Sequence, residues 1–393
     1  MMELIKELQR RTPLGWLQLS HHTSRLFVAL AGIAFADVLM FMQLGFQNAL
    51  YDSNTTLNRA VLADIIFMSP QSRNMQSMST FSRRRLFQAA DVPGVKSATA
   101  MYIGLITWKN PQTRRKTTVQ AIGVTPDEPV LDLPELNAQL DQIKLPNFFI
   151  FDRGARGEYQ EVFRQIDAGQ TVSTEIDKQT ITISGTFKLG ASFGADGTLI
   201  SSNENFLRLL PQRQAGSISL GLINVEPGYD PQQVAAVLKL HLQNNQDVKV
   251  LTREEFIKFE ENYWKAESPI GFIFTLGVAM GFIVGVIIVY QVLSTDVNAH
   301  LKEYATFKAM GYRNSYLLGV IFEEAIILAL LGFIPGFIVS LGLYRLARNA
   351  TNLPIYMTLA RPVFVLLLTI VMCSISGIIA TQRLQSADPA DMF

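Results

Sequence analysis

Four stretches of the chain are long, apolar and nearly free of charge: Leu26–Phe46, Ile270–Leu293, Tyr316–Tyr344 and Pro362–Thr381. Each reaches the roughly 20 residues that a helix needs to cross a hydrocarbon core about 30 Å thick. Residues 47–269 instead alternate between apolar and polar positions on the short periods of a globular domain. The pattern predicts an α-helical membrane protein with four transmembrane helices and a large α/β domain inserted between helices 1 and 2.

Within the insertion, LADIIFMS (62–69) reads as a buried strand and FSRRRLFQAA (81–90) as a short helix. VKSATAMYIGLITW (95–108) and KTTVQAIGV (116–124) read as paired strands around the turn NPQT. TVSTEI (171–176) and TITISGTF (180–187) alternate as strands across DKQ, and SISLGLINV (217–225) is a further strand. DPQQVAAVLKLHLQ (230–243) is a helix that opens with Asp230 as cap, Pro231 at its first position and Gln233 three past the cap, and DVKVL (247–251) is a strand after it. Thr252 and Glu255 form a second capping box and start a helix that runs toward the second apolar stretch, so the insertion joins the membrane through helix rather than a loose linker.

Composition agrees: of 393 residues 49% are hydrophobic and only 17% charged, and the formal net charge of +1 indicates no nucleic-acid partner. The triplet Arg83-Arg84-Arg85 is read as a solvated helix face, and Cys373, the one cysteine, lies inside the fourth apolar stretch. The first stretch is longer than a signal-peptide core and no small-residue cleavage site follows it, so it is expected to be an uncleaved anchor. Lys6, Arg10, Arg11 and Arg25 precede it and only Arg59 follows closely, which places the N-terminus in the cytoplasm. Four spans then return the C-terminus there and put the insertion outside. Leu4, Ile5, Leu8, Leu14, Trp16, Leu17 and Leu19 among basic residues suggest that 1–25 is an amphipathic segment on the cytoplasmic face, or else a frayed terminus.

Inside the membrane, Gly277, Gly281 and Gly285 recur every fourth residue, as do Gly332, Gly336 and Ser340. Such stripes let helix backbones approach, which matters where lipid gives helices no hydrophobic drive to associate, and they point to a packed helix pair or a dimer interface. Asp37, Glu323 and Glu324 are costly there. With no cationic residue at matching depth, they are expected to hydrogen-bond a neighbouring helix or face a crevice rather than to form a relay. The chain has neither a phosphate-cradling G-x-x-x-x-G-K-[ST] nor H-E-x-x-H, and its four histidines are scattered. GASFG (190–194) matches a hydrolase G-x-S-x-G, with Asp230 and His241 following in order, but it runs into the turn ADGT and the strand-like LISS. A nucleophile elbow needs a strand-to-helix turn, so Ser192 is not read as a nucleophile.

Between the second and third stretches lies HLKEYATFKAMGYRN (300–314). On a helix, Val297, Leu301, Tyr304, Ala305 and Phe307 share one broad face with Lys308 among them, while Lys302, Glu303 and Thr306 take the other side. Gly311 ends the pattern as a left-handed cap would, and Tyr312-Arg313 follow. An interfacial helix would need only the apolar face; a protein partner accepting an apolar ridge and a central positive charge would need Lys308 and the compact stop as well.

The stretch EYATFKAMGYRNSYL resembles the cytoplasmic motif of the MacB- and FtsX-like permeases of ABC systems (type VII, mechanotransmission). PLGWLQL (13–19), RLFVALAGIAFADVLMFMQLGFQNAL (25–50), FSRRRLFQAA, FDRGARGEY (151–159) and the final RLQSADPADMF (383–393) resemble the cyanobacterial DevC permeases. The resemblance covers nearly the whole chain. It implies a homodimeric inner-membrane permease without its own ATPase site, which binds no cofactor itself and leaves ATP and Mg to a separate ABC ATPase subunit. It also implies a periplasmic adaptor (a membrane fusion protein), a TolC-like outer-membrane protein, and export, with glycolipid the cargo it suggests. Carried over by position, Glu303, Tyr304, Lys308, Gly311, Tyr312 and Arg313 would contact the ATPase. The implied division is a cytoplasmic segment 1–25, helices 26–46, 270–293, 316–344 and 362–381, a coupling helix in 294–315, a periplasmic loop 345–361 and a cytoplasmic tail 382–393. The insertion, 47–269, would combine a porter-like part (48–135 and 215–269) with a strand-rich insertion (136–214). An FtsX-like signal transducer acting on a cell-wall hydrolase, or a lipoprotein-release permease, is the alternative.

Overall fold

The computed structural model describes residues 23–176, 179–300, 303, 306, 310–312 and 314–385; most of segment 1–25 and the end of the tail lie outside the described residues. Two compact units are present. One is helical and includes Phe272–Ala347; the other contains Ala49–Gly271 with Arg348–Pro354.

Four helices are long and apolar enough to cross a membrane: α1 (Thr23–Ala60), a helix over Pro269–Ala299, one over Asn314–Thr351 and one over Ala360–Gln385. All four outlast the apolar runs that announce them. The polar end of α1 stays helical because its side chains bond back to carbonyls of the preceding turn. Asn54 Nδ2 donates to Leu50 O (2.7 Å), Thr55 Oγ1 to Tyr51 O (2.9 Å) and Thr56 Oγ1 to Asp52 O (2.7 Å). Leu50, Asn54 and Leu57 share one buried face of these turns.

The α/β unit is built on one mixed sheet of nine strands. In chain order its elements are β1 (Ile65–Met68), β2 (Phe81–Ser82), α2 (Arg84–Ala90), β3 (Val95–Lys109), β4 (Lys116–Val124), α3 (Pro134–Asn137), β5 (Phe148–Asp152) and α4 (Gln160–Asp167). There follow β6 (Val172–Ile176), β7 (Gln179–Phe187), β8 (Thr198–Ser202), α5 (Asn203–Leu209), β9 (Ser217–Ile218), β10 (Leu220–Val225), α6 (Pro231–His241), β11 (Lys249–Thr252) and α7 (Arg253–Asn262). The spanning helices after these are α8, α9 and α10. The sheet order is β11-β1-β10-β3-β4-β8-β5-β7-β6, with β4–β8 and β5–β7 parallel and the rest antiparallel.

Both faces of the sheet are covered at β1, β8 and β10, which are buried along most of their length, whereas β6 and β7 bury alternate residues. Successive side chains point to opposite faces: Ile65 and Phe67 of β1 join one core with Leu86, Phe206, Val234 and Leu238, whereas Ile66 and Met68 join the other with Leu57, Leu136 and Phe256.

Two local expectations are corrected. The segment 81–90 is not all helix: Phe81 and Ser82 pair with Ile218 and Ser217, and helix begins at Arg84. The strand expected over 217–225 is interrupted at Ser219, whose hydroxyl accepts from Ile103 N (3.0 Å) and donates to Ile103 O (3.2 Å) in place of a backbone rung. The capping box at Thr252 is complete, with each partner bonding the other's backbone N–H. The helix it starts is not continuous into α8, however. It passes through a π-turn, Tyr263–Glu267, to Ser268, which is extended (ψ 127°) because the next residue is Pro269.

In the helical unit both small-residue stripes face α1 within the same chain. A Cβ added at Gly285 would stand 2.9 Å from the Ala36 Cβ and 2.0 Å from Met372 Sδ, and at Gly281 it would meet Met40 at 3.1 Å. At Gly332 it would meet Ile33 (2.7 Å) and at Gly336 the Asp37 Cβ (2.9 Å). Gly277 lies against the Gln43 side chain, and Ser340 bonds Gly336 O (2.7 Å). Gly285→Val is therefore expected to destabilise the bundle by about 1–3 kcal/mol, read as a lowered unfolding temperature in detergent. Gly319→Ala, where an added Cβ meets nothing within 4 Å, should leave it unchanged.

Candidate functional site

The turn between α8 and α9 is the first candidate. Its described residues Glu303 and Thr306 are helical, and Met310 N donates to Thr306 O (3.0 Å). Glu303, Thr306 and Met310 follow one another at spacings of three and four, which puts them on one stripe. All three are exposed, Met310 at 60% and the neighbouring Tyr312 at 46%. Gly311 takes φ 89°, the left-handed backbone that stops a helix, and among the described residues nothing lies within 4 Å of where its Cβ would be. The result is an exposed ridge with a sharp end. Tyr304, Lys308 and Arg313 lie outside the described residues.

The base of this turn carries an acidic cluster. The buried Asp296 lies 3.9 Å from His300 Nε2, and His300 Nδ1 is 3.0 Å from Glu303 Oε2. Glu324 on α9 is fully buried, and Asp296 of the neighbouring helix α8 is the charged group beside it. Glu323 is half-buried. Asp37 makes the bond to a neighbouring helix that the sequence suggests: its Oδ1 accepts from Thr369 Oγ1 on α10 at 2.6 Å. Asp296 escapes the sequence reading because it sits in the last turn of an apolar helix, where a charge looks like a boundary.

The second candidate is a set of polar contacts in the α/β unit. Asp152 is fully buried and accepts three backbone N–H groups, from Gly154 (2.8 Å), Leu189 (2.9 Å) and Gly190 (2.9 Å). Burial raises its carboxyl above the ordinary value against the pull of those bonds. The arrangement brings two loops into backbone contact, since a Cβ on Gly154 would lie 2.7 Å from Gly190 Cα. Arg156 is thereby aimed at three acceptors: Asp196 Oδ1 (3.1 Å), Ser192 O (3.1 Å) and, at the end of α9, Thr351 O (2.8 Å). Asn352 Nδ2 donates to Ala155 O (3.2 Å) beside it.

Ser192 itself lies in the turn between β7 and β8, not on a strand-to-helix elbow. Its Oγ accepts from Ala195 N (3.0 Å) and Gln76 Nε2 (3.2 Å). Of the arginine triplet, Arg83 and Arg84 are exposed, whereas Arg85 pairs with Asp247 (2.9 Å). Arg156, Gln76 and Asn352 were not singled out by the sequence. The signal available was the glycine-spaced run DRGARG (152–157), whose glycines are needed for close approach.

Comparison with known proteins adds the following. No curated protein matches the chain. Three solved structures are similar over about half of it. They are the periplasmic region of MacB from Actinobacillus actinomycetemcomitans (11% identity, 52% of this chain and 94% of that one, TM-score 0.34), the extracellular domain of the noncanonic ABC-type transporter YknZ from Gram-positive bacteria (13%, 48% and 99%, 0.31), and a domain of a putative permease protein from Porphyromonas gingivalis (12%, 48% and 88%, 0.30). Residues 275–389, which hold most of α8, the exposed turn, α9 and α10, match the FtsX-like permease C-terminal family.

Proposed function

We propose that the chain is the membrane subunit of an ABC-type export system, with the turn between α8 and α9 as the docking ridge for a separate ATPase. The observation that carries this reading is the exposed stripe Glu303–Thr306–Met310 with Tyr312, ended by left-handed Gly311, inside a segment similar to FtsX-like permeases. Exposed apolar side chains beside a charge suit a protein partner, because each buries apolar area only when something covers it.

Four crossings put the turn and the α/β unit on opposite sides of the membrane. The ATPase side is then the cytoplasm, where both termini lie, and the α/β unit stands in the periplasm of a bacterial, cyanobacterial-type envelope. The work done is mechanical: ATPase closure moves the helices, and the α/β unit passes that motion to an adaptor and a TolC-like duct, with glycolipid as cargo. The chain acts as a homodimer. Support for a mechanical role comes from the α/β unit, where Arg156 and Asn352 hold the last residues of α9.

Co-purification from the native membrane tests the assignment. An ATPase together with an adaptor and a duct supports export; an ATPase with a cell-wall hydrolase would replace it by signalling. Gly311→Val forces a side chain into left-handed backbone at about 1–2 kcal/mol, and should weaken ATPase binding about tenfold. Gly311→Pro and Lys308→Glu should abolish stimulation of ATP hydrolysis while the protein remains in the membrane. Normal binding and stimulation in these variants would refute the contact.

Arg156→Ala should leave ATPase binding intact but release the end of α9. Amide exchange over 349–354 is expected to rise about tenfold, as for loss of a charge-assisted hydrogen bond.

A further inference from the structure

Glu260 is fully buried near the end of α7, and both its carboxylate oxygens are in use. Oε2 accepts from the backbone N–H of Met75 at 2.9 Å, and Oε1 accepts from the indole Nε1 of Trp264 at 2.8 Å. The two donors belong to different segments. Met75 lies in the loop between β1 and β2. Trp264 lies in the π-turn that ends at Ser268, directly before α8 begins, and a Cβ on Gly271 of α8 would stand 2.1 Å from the Trp264 carbonyl oxygen. The loop is tied at two further points: Gln76 Nε2 donates to Asn54 Oδ1 on α1 (2.8 Å), and Gln120 Nε2 donates to Met75 O (3.3 Å). Glu260 is thus a two-sided bridge between a loop held against α1 and the turn that precedes α8.

The chemistry of the bridge depends on one proton. A carboxylate accepts strongly from both N–H groups, whereas protonation turns one oxygen into a donor and a poor acceptor, so the bond to that oxygen is weakened. The charged side chains on the neighbouring elements are engaged elsewhere or exposed. Arg59 pairs with Glu261 (3.3 Å), Lys265 with Glu261 (3.2 Å), and Lys249 lies over the Phe259 ring (5.0 Å). Asp64 on the β1 side accepts from Val225 N (2.8 Å), and Arg73 of the loop and Lys258 of α7 are exposed.

We propose that Glu260 is a positioning residue whose carboxylate locks the β1–β2 loop to the π-turn before α8, and that uptake of one proton on Oε2 releases the loop at Met75. The bridge stands independently of the permease reading. Burial pushes the Glu260 carboxyl up from 4.5 to about 7, with the bonds from Trp264 and Met75 opposing, so the change falls near neutral pH. The sign has a distinctive consequence. A carboxyl raised in the fold gives its stability below the unfolded value of 4.5 and loses it as pH rises toward 7. The bridge itself tightens over the same rise. Global stability and local order should therefore move in opposite directions.

The test uses the full chain in lipid nanodiscs, with hydrogen exchange over residues 70–80 and tryptophan emission followed from about pH 5 to about pH 9. After correction for intrinsic exchange, protection at Met75 is expected to fall about tenfold on acidification, with a midpoint near 7 shared by the emission change. Glu260→Gln should abolish both transitions. A second variant, Trp264→Phe, removes one donor that favours the carboxylate and should move the Met75 midpoint to higher pH. No transition near neutrality in the parent protein, an unchanged transition in Glu260→Gln, or an unmoved midpoint in Trp264→Phe would each overturn the proposal.

Discussion

The close approach of two helices to α1 is the contact on which the helical unit depends. Lipid tails are as apolar as leucine, so the helices gain nothing by merely hiding apolar surface from each other. What remains is dispersion between atoms that fit, and that falls away steeply with a gap of even half an ångström. Glycine at 281 and 285 on α8 and at 332 and 336 on α9 removes the side chain at the point of contact, so Ala36, Met40, Ile33 and Asp37 of α1 meet backbone directly. The stripes are therefore used up inside one chain. The apolar side chains left outward on α8, such as Leu276, Met280, Ile283 and Ile287, are exposed within the single chain.

The same contact explains a polar residue at an unlikely depth. Asp37 is fully buried, sits where Gly336 leaves room and accepts from Thr369. The Thr369 Oγ1 also lies 2.8 Å from Val365 O within its own helix, so the two acceptors compete for one hydroxyl proton. Glu324 instead faces a second acid, Asp296 of α8. Two acids in spanning helices thus have unlike surroundings, set by whether a small polar side chain faces them.

What could be read from the chain follows from range. The four crossings rest on local composition, and the β3–β4 hairpin and the Thr252 capping box on residues close in sequence, so these were legible. The helical continuation of α1 to Ala60 was not, since serines, asparagines and threonines look like loop formers until their hydroxyls and amides are seen bonding the preceding turn. Ser219 likewise looks like any strand residue until it substitutes for a backbone rung. The polar contacts were the least legible: Arg156 and Thr351 are 195 residues apart, Met75 and Glu260 185. No periodicity encodes such pairs. Gly311 is the opposite case, because left-handed backbone leaves a residue-type signature at a single position.

The contacts that hold the segments of the α/β unit together share one chemical habit. Arg156 takes a backbone carbonyl at Thr351, Asn352 takes one at Ala155, Gln120 takes one at Met75, and Glu260 takes the backbone N–H beside it. Side-chain-to-backbone bonds fix the path of a loop without requiring a matching side chain at the other end. Each contributes only about 1 kcal/mol net when neutral and about 1.5–3 when one partner is charged. Several together hold a position firmly, yet each can be given up alone at a cost close to a few RT. An apolar core offers no such steps, because its packing is lost or kept as a whole. A unit that must keep its fold while its edge segments shift is better served by a continuous sheet with two apolar faces at the centre and single polar bonds at the margins, which is the division seen here.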